Sequence, residues 1–252
     1  RRHSAFSDAD RTALHHHPMI ARNIDWGSIR FVVFDVDGTL YNQRMLRLRM
    51  AGELIADAVA RGSLTNLRVL RAYRSLREAI GEGEIDDFQA SLMTRTVART
   101  GQPAERIEAI VSEWIERRPL AYIASCRYDG LVELFAGLRR QNKSIGIYSD
   151  YPADEKLQRM TLSADYILAA SDPGVGIQKP DPRGLQLLMQ RAGVGPAQTV
   201  LIGDRPERDG IAARRAGVMP LIRSDGPREG WLTFSTYSDP VFAALRAEEA
   251  SG

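Results

Sequence analysis

The sequence predicts an α/β protein in which a doubly wound, Rossmann-like parallel sheet forms the core and an α-helical cap domain is inserted into it. Three observations support this prediction. A short apolar strand lies in the N-terminal part, a long stretch with helical periodicity follows, and short strands then alternate with helices. Strands that are separated by helices imply a parallel sheet with right-handed crossovers.

The first strand is predicted at Phe31–Phe34, where every residue is apolar and either β-branched or aromatic. Such a run is typical of a strand that is buried on both faces of a sheet. Residues 1–22 precede it and are predicted to be an extension outside the catalytic fold, in keeping with a disordered segment.

The stretch from residue 43 to residue 123 is predicted to form the cap domain. Glycine-containing breaks divide it into short segments, and the pattern between the breaks is amphipathic. Four helices are enough for a small bundle of their own. They are expected at Arg44–Arg61, Leu64–Ile80, Ile85–Arg99 and Ala104–Arg117.

The core domain is predicted to comprise residues 23–42 and 124–252. Asp129 is expected to cap a helix whose leucines and phenylalanine recur at helical spacing. Residues after about Arg223 match no recognisable pattern. Strands are expected at Ser144–Ser149, Tyr166–Ala169, Thr199–Gly203 and Val218–Ile222, and helices near Ala153–Thr161, Pro182–Ala192 and Pro206–Ala216.

Composition excludes several classes of function. The chain has 252 residues, a net charge of +2 and interspersed charges, so no basic tract favours nucleic-acid binding. No apolar stretch has the length of a membrane span, and the N-terminal part lacks an apolar signal core, which predicts a cytoplasmic protein. The single cysteine, Cys126, suits a reducing compartment and is expected in the core.

The histidines restrict the chemistry further, because all four of them, His3 and His15 to His17, precede the first strand. The folded body therefore lacks histidine for acid–base catalysis, for a catalytic triad or for a zinc site. A metal ion there would need oxygen ligands, which favours Mg²⁺.

Two carboxylates follow the first strand, Asp35 and Asp37, and they are separated by one residue. Since side chains alternate along a strand, both should leave its end on the same side. Two carboxylates at such a short separation repel each other unless one is protonated or a cation lies between them. This pair predicts a reaction centre.

Further polar residues stand where the later strands end. Ser149 and Asp150 end one strand, Gly203 and Asp204 end another, and Lys179 lies in a loop before a helix. In an open α/β sheet, ligands bind beyond the carboxyl ends of the strands. The joint placement of these groups predicts one site at that edge.

These residues resemble the four motifs of the haloacid dehalogenase-like hydrolase superfamily, in the same order. The sequence Asp35–Thr39 matches DxDGT, Ser149 matches the Ser or Thr after an apolar strand, Lys179-Pro180 matches the lysine motif, and Gly203–Asp209 matches GDxxxxD. The resemblance covers roughly residues 31 to 222. The helical insertion is similar to the caps of phosphoglycolate phosphatases and β-phosphoglucomutases.

The resemblance and the chemistry of phosphate monoesters together imply roles. Asp35 is the expected nucleophile, and Asp37 is expected to hold a proton, pass it to the leaving oxygen and then activate water. Lys179 supplies positive charge against nucleophile and phosphate. The expected Mg²⁺ ligands are Asp35, Asp37 (through its carbonyl), Asp204 and Asp209 (directly or through water), and the expected phosphate-binding residues are Thr39, Ser149 and Lys179.

Several other residues carry expectations of structure or of substrate contact. Arg205 replaces the small hydroxyl residue frequent after the fourth-motif aspartate, and would either crowd the site or contact an anion. Arg44, Arg47 and Arg49 could contact an anionic substrate, although a solvated helix face is the commoner arrangement. Asp150 and Asp181 are expected as cap and turn residues, Trp114 and Trp231 as packing residues, and Trp26 as an anchor of the N-terminal segment.

The leading hypothesis is a Mg²⁺-dependent phosphatase that acts on a small phosphorylated metabolite through an aspartyl-phosphate. Dehalogenation is disfavoured by Asp37, because displacing halide requires no acid on the leaving group. A phosphomutase of the β-phosphoglucomutase kind stays open, since the same intermediate could pass its phosphoryl group to a sugar hydroxyl. A catalytically silent phosphate-binding or scaffold protein is the alternative from another class.

Overall fold

A computed structural model describes residues 24–82, 88–172 and 174–246. The predicted extension over residues 1–22 and the predicted helix start at Ile85 lie outside these residues. The centre of the fold is a six-stranded sheet in the order β3-β2-β1-β4-β5-β6, and all neighbouring strands are parallel. The strands are β1 Phe31–Phe34, β2 Ser144–Ser149, β3 Tyr166–Ala169, β4 Thr199–Gly203, β5 Met219–Arg223 and β6 Thr233–Phe234.

Both faces of the sheet are covered, as the apolar first strand predicts. Val32 and Phe34 of β1 belong to the larger hydrophobic cluster, whereas Phe31 and Val33 belong to a second cluster on the opposite face. All four side chains are fully buried. This two-sided burial is the reason that β1 shows no alternation of polar and apolar residues.

The order of the strands reverses at β1, which lies between β2 and β4. The chain runs outward to β3 on one side and to β6 on the other. Such a switch point leaves a crevice at the carboxyl ends of the central strands, where open α/β sheets bind their ligands. The polar residues that follow β1, β2 and β4 all reach this crevice.

The inserted helices connect β1 to β2, as predicted, but their boundaries differ in detail. The predicted helix Ala104–Arg117 is α-helical only as far as Val111 and continues as a π-helical segment, Ser112–Arg117. A further helix, which the sequence did not predict, covers Leu120–Cys126. The helices are α1 Gln43–Arg61, α2 Thr65–Glu82, α3 Phe88–Thr100, α4 Ala104–Val111, α5 Leu120–Cys126, α6 Leu131–Arg140, α7 Asp154–Arg159, α8 Arg183–Ala192, α9 Ile211–Arg215 and α10 Ala243–Arg246.

The prediction that Asp129 caps helix α6 is wrong. The residue at the N-terminal boundary is Gly130, whose φ of 81° is in the left-handed region, and no side chain caps the helix. A Cβ at Gly130 would also approach the Cβ of Tyr237 to 3.2 Å. The close packing of the C-terminal segment therefore determines this turn.

The segment after Arg223, for which the sequence offered no assignment, completes the core. It adds β6 and buries Tyr237 and Phe242, and the hydroxyl of Tyr237 donates to the carbonyl of Thr39 at 2.7 Å. Trp26 donates from Nε1 to the carbonyl of Val241 at 2.6 Å, which confirms its predicted anchoring role. Trp114 and Cys126 are buried in the core as expected, whereas Trp231 is half-buried against Arg214.

Among the described helices, none combines the length and the apolar character that crossing a lipid bilayer requires.

Candidate active site

Asp35 is the first residue after β1 and is held firmly in place. Its backbone N–H donates to the carbonyl of Ile202 at 2.8 Å, so it continues the β1–β4 pairing. Its Oδ2 accepts a hydrogen bond of 3.0 Å from the hydroxyl of Thr39, which is fully buried. Thr39 therefore orients the Asp35 carboxylate, whereas its predicted contact with phosphate stays a prediction.

Lys179 connects two acidic residues at the floor of the crevice. Its Nζ lies 2.6 Å from Oδ1 of Asp35 and 2.7 Å from Oδ1 of Asp209, and it donates to the carbonyl of Tyr148 at 3.1 Å. The side chain is 1% exposed. Burial alone would lower the pKa of Lys179, but Asp209 and Asp35 raise it well above its ordinary value. The ammonium therefore stays charged beside the Asp35 carboxylate.

Asp204 follows β4 and contributes the third carboxylate of the site. Oxygen atoms of Asp35, Asp204 and Asp209 all lie within 4.8 Å of one another. Oδ1 of Asp204 is buried and has no hydrogen-bond partner among the described residues. A buried carboxylate oxygen without a partner is costly, and a cation would remove that cost. The donor set, made only of carboxylate oxygens, suits Mg²⁺.

Gly38 makes the close approach of Asp204 possible. Its φ is +90°, and a Cβ at this position would overlap the carboxylate of Asp204. Gly203 has the same function for the neighbouring aspartate, since a Cβ there would overlap the side chain of Asp209. Both glycines of the motifs are therefore explained by the close packing of the Asp204 and Asp209 carboxylates against the backbone.

Asp209 is engaged on both of its oxygens. Oδ1 accepts from Lys179, and Oδ2 accepts from the backbone N–H of Arg205 at 3.0 Å. This geometry makes Asp209 the residue that positions Lys179 and the turn after β4. Its predicted role as a metal ligand stays a prediction.

The pKa values of Asp35 and Asp204 both lie above the ordinary range of a carboxyl group. Burial raises the pKa of Asp35 to about 7; Lys179 opposes this shift and Asp209 adds to it. Burial, with the charges of Asp35 and Asp209, raises the pKa of Asp204 to about 8. Burial is the largest cause of both shifts and neighbouring carboxylates add to it, and a divalent cation would oppose both effects.

Asp37 differs from the expectation that it holds a proton. Its Oδ1 accepts a hydrogen bond of 2.6 Å from Nζ of Lys156 and a short hydrogen bond from the hydroxyl of Tyr41. Burial alone would raise the pKa of Asp37, but Lys156 and Tyr41 outweigh it, and the pKa lies below its ordinary value. The resting site therefore favours the ionised form of Asp37, the form that a general base requires.

Ser149 lies at the end of β2 and is 1% exposed. Its Oγ accepts a hydrogen bond of 3.2 Å from the backbone N–H of Tyr151, which leaves the hydroxyl proton available for donation. Ser149 is not among the residues that line the cavity described below. Its predicted contact with phosphate stays a prediction.

The two acidic residues predicted as cap and turn residues have different outcomes. Oδ1 of Asp181 accepts from the backbone N–H of Arg183 at 2.8 Å, which confirms a turn residue. The cap prediction for Asp150 is wrong, because helix α7 has no side-chain cap. Instead Oδ2 of Asp150 lies 3.2 Å from the guanidinium of Arg208 and lines the cavity.

Arg205 lines the cavity described below, and its predicted contact with an anion stays a prediction. Its guanidinium forms an ion pair with Glu78 of helix α2, and Nε donates to Glu207 at 3.1 Å. Glu78 also lies 3.6 Å from Arg208, which in turn donates to the side chain of Gln178 at 2.7 Å. Glu78 thereby joins the inserted helices to the turn that follows Asp204.

A second contact between the inserted helices and the crevice involves Arg77, next to Glu78. Arg77 is 4% exposed, donates a short hydrogen bond to the carbonyl of Asp150 and lies over the ring of Tyr151 at 3.9 Å. These contacts enclose a cavity of about 160 Å³ between the strand ends and helices α1 and α2. Asp35, Asp37, Lys179 and Asp204 line it.

Sequence patterns did not predict the residues that contact Asp37 or the turns after β2 and β4. These residues are Lys156, Tyr41, Arg208, Arg77 and Glu78. One signal could have found the first of them. The chain has only three lysines, and Lys143, Lys156 and Lys179 are all buried. The rarity that singled out Lys179 applies equally to Lys156.

Known sequences similar to this chain fall into one family. A family model described as haloacid dehalogenase-like hydrolase matches residues 29–217. The glyceraldehyde 3-phosphate phosphatase of Methanopyrus kandleri is 27% identical over 197 residues, which cover 77% of this chain and 83% of that protein. Phosphoglycolate phosphatase 1 of Pseudomonas aeruginosa is 26% identical over 204 residues, which cover 80% of this chain and 71% of the relative.

Solved structures show the same fold. The HAD-hydrolase YfnB from Bacillus subtilis, bound to magnesium, aligns with a TM-score of 0.64 at 17% identity, covering 87% of this chain and 99% of that one. The 2-haloacid dehalogenase from Pseudomonas syringae aligns with a TM-score of 0.58 at 21% identity, covering 83% and 95%. With three quarters of its length matched by the family model, this chain belongs to the haloacid dehalogenase-like hydrolases.

Proposed function

We propose that this protein is a Mg²⁺-dependent phosphatase that hydrolyses a small phosphate monoester through an aspartyl-phosphate at Asp35. One observation carries the proposal. The Asp35 carboxylate lies 2.6 Å from the Lys179 ammonium and within 4.8 Å of the carboxylate of Asp204, which has a buried oxygen without a hydrogen-bond partner among the described residues. A nucleophile between a fixed cation and a candidate metal site suits attack on a negatively charged phosphoryl group. The relatives that are named phosphatases support the same reaction.

Asp35 and Asp204 would hold Mg²⁺, together with the backbone carbonyl of Asp37 that the family resemblance suggests. The ion would supply positive charge against the phosphoryl oxygens. Thr39 orients Asp35 through the hydrogen bond to Oδ2, which leaves Oδ1 beside Lys179. Lys179 neutralises charge on the nucleophile and on the incoming phosphoryl group.

Asp37 would carry the proton transfers of both steps. A dianionic phosphoryl group that enters the site would raise the pKa of Asp37 and favour its protonation, so that it could donate to the leaving alkoxide. Once the alcohol has left, the ionised carboxylate beside Lys156 would take a proton from the attacking water. Lys156 and Tyr41 fix the carboxylate for both transfers.

The inserted helices would act as a cap that closes the cavity. Arg77 and Glu78 of helix α2 contact Asp150 and Arg205 in the turns that end β2 and β4. Closure over the site would exclude bulk water and select the substrate.

Hydrolysis of p-nitrophenyl phosphate tests the proposal. We expect turnover with Mg²⁺, none after chelation with EDTA, and recovery when Mg²⁺ is returned. An Asp204→Asn variant should need far more Mg²⁺ or fail to turn over. If the wild-type protein hydrolyses no phosphate ester from a broad panel, the phosphate-binding role replaces the proposal. Product analysis with a bisphosphorylated activator separates hydrolysis from phosphoryl transfer to a sugar.

A further inference from the structure

The cavity above Asp35 is lined by almost equal numbers of acidic and basic side chains, and most of them neutralise one another. The basic residues are Arg47, Arg74, Arg77, Lys156, Lys179, Arg205 and Arg208, and the acidic residues are Asp35, Asp37, Glu78, Asp150, Asp204 and Asp209. The charged side chains that have no partner of opposite charge indicate which kind of ligand the cavity binds.

The pairs account for five of the six acidic residues. Lys179 neutralises Asp35 and Asp209, and Lys156 neutralises Asp37. Arg205 pairs with Glu78, and Arg208 with Asp150. Asp204 alone lacks a cationic partner among the described residues, and it belongs to the candidate metal site.

On the basic side, Arg47 and Arg74 are left over. Arg47 lies on helix α1 and Arg74 on helix α2, both are exposed to the cavity and the solvent, and neither forms an ion pair or a hydrogen bond with any described residue. Arg77 lines the same cavity and adds a guanidinium whose Nε is buried without a hydrogen-bond partner among the described residues. The surplus positive charge is therefore contributed by the inserted helices.

The two arginines line the same cavity as Asp35 and Asp37. Although Arg74 is exposed overall, partial desolvation at the cavity lowers its pKa, the guanidinium of Arg47 adds to this effect, and Tyr151 and Asp37 act in the opposite direction. The charge of Arg47 also opposes the rise that burial causes in the pKa of Tyr41, whose hydroxyl donates to Asp37. Two like charges that line one small cavity repel each other unless an anion lies between them.

We propose that the substrate is a small phosphate monoester with a second anionic group, a carboxylate or a phosphate, which Arg47 and Arg74 bind at the end that is not transferred. This inference rests on the proposed function and defines its substrate class. The transferred phosphoryl group would be neutralised by Lys179 and the metal ion, so it does not use these arginines. A guanidinium matches the two oxygens of a carboxylate or a phosphate through paired hydrogen bonds.

A matched pair of substrates isolates the second charge. Glyceraldehyde 3-phosphate and 3-phosphoglycerate share a three-carbon skeleton and differ in having an aldehyde or a carboxylate at C1. Glycerol 3-phosphate and glycerol 1,3-bisphosphate provide the corresponding pair for a second phosphate. The measured quantity is the ratio of kcat/KM for the charged substrate to that for its neutral partner, for the wild type and for Arg47→Gln, Arg74→Gln and Arg74→Lys.

We expect at least one ratio to be about tenfold or more in the wild type, the effect of one charge-assisted hydrogen bond. Each glutamine variant should bring that ratio close to one, and Arg74→Lys should restore it in part. Arg71→Gln is the matched control, because Arg71 is exposed on the same helix and does not line the cavity. It should keep the wild-type ratio.

The outcomes separate this inference from the proposed function. Which pair shows the larger ratio identifies a carboxylate or a phosphate as the second group. Hydrolysis of p-nitrophenyl phosphate with both ratios near one, or with ratios that the glutamine variants leave unchanged, would overturn the inference and keep the phosphatase. Absence of turnover on every ester would overturn both.

Discussion

The Nζ of Lys156 lies 2.6 Å from Oδ1 of Asp37, so the second carboxylate after β1 has a cationic partner of its own, distinct from Lys179. The two residues are 119 positions apart in the chain. Helix α7, which follows β2, brings Lys156 to the carboxyl end of β1. Each carboxylate of the first motif is thus neutralised by a different lysine.

Replacing Lys156 by glutamine should change the pH dependence of turnover. Lys156 favours the ionised form of Asp37, so its loss raises the pKa of Asp37 and moves the acidic limb of the kcat profile to higher pH. We expect kcat to fall by about tenfold or more, part of the contribution of general acid–base catalysis. Lys143→Gln is the control. The ammonium of Lys143 donates to the carbonyl of Ile29 at 2.8 Å, and Lys143 does not line the cavity. A superimposable profile for Lys156→Gln would refute the role of this pair.

Replacing Gly38 by alanine should weaken both folding and Mg²⁺ binding. Any residue with a side chain would have a strained backbone at the φ of +90°, and the added Cβ would displace the Asp204 carboxylate. Gly101→Ala separates these effects, because Gly101 has a φ of +67° but open space around it. The control should lose about 1 kcal/mol of unfolding free energy from strain alone. For Gly38→Ala, urea unfolding should show a larger loss, and calorimetric titration should show weaker binding of Mg²⁺. Equal losses in both variants, with unchanged Mg²⁺ affinity, would contradict this assignment.

Replacing Asp209 by asparagine tests whether this residue positions Lys179 or binds the metal. The pair is buried, with Asp209 2% and Lys179 1% exposed, so losing the charge should cost about 2 kcal/mol or more of stability. Because both Asp209 oxygens are already engaged, we expect the Mg²⁺ dissociation constant to change less than it does in Asp204→Asn. Calorimetric titration of both variants makes the comparison. Equal weakening in the two would identify Asp209 as a direct ligand.

Removing the metal should make stability depend on pH in a defined direction. In the metal-free protein the pKa of Asp35 is raised from 3.8 to about 7, and that of Asp204 from 3.8 to about 8. Between the ordinary pKa of 3.8 and these raised values, the folded state binds more protons than the unfolded state. Stability must therefore fall as the pH rises through this interval. Thermal unfolding in EDTA should show a lower midpoint at pH 9 than at pH 6. Mg²⁺ should reduce the difference, because it favours the ionised carboxylates, and a midpoint that rises with pH in EDTA would contradict the shifts.

Local pattern was sufficient to predict the sheet and the acidic centre. The strands β1 to β4 end where the apolar runs end, and Asp35, Asp204 and Lys179 converge because parallel strands present their carboxyl ends at one edge. Each of these residues lies in a short motif whose spacing has a direct structural meaning. Their meeting therefore follows from topology.

What the sequence did not reveal depends on contacts between distant segments. Glu78 and Arg205 are 127 positions apart, and neither belongs to a local pattern that indicates the other. The two-residue strand β6 is too short to show periodicity. Asp129 does not cap helix α6 as expected, because Tyr237 packs against Gly130 at the start of that helix. Only at Asp129 did tertiary packing override a local preference, since the other two features have no local pattern.

Trapping the covalent intermediate tests the role of Asp35 most directly. A single turnover with a phosphorylated substrate and Mg²⁺, quenched in acid and treated with borohydride, should mark the tryptic peptide of residues 31–44, and fragmentation should place the mark on Asp35 rather than on Asp37. Asp35→Asn should give no mark and no turnover. Normal turnover with no marked peptide, or a mark on a different residue, would contradict the central claim that Asp35 accepts the phosphoryl group.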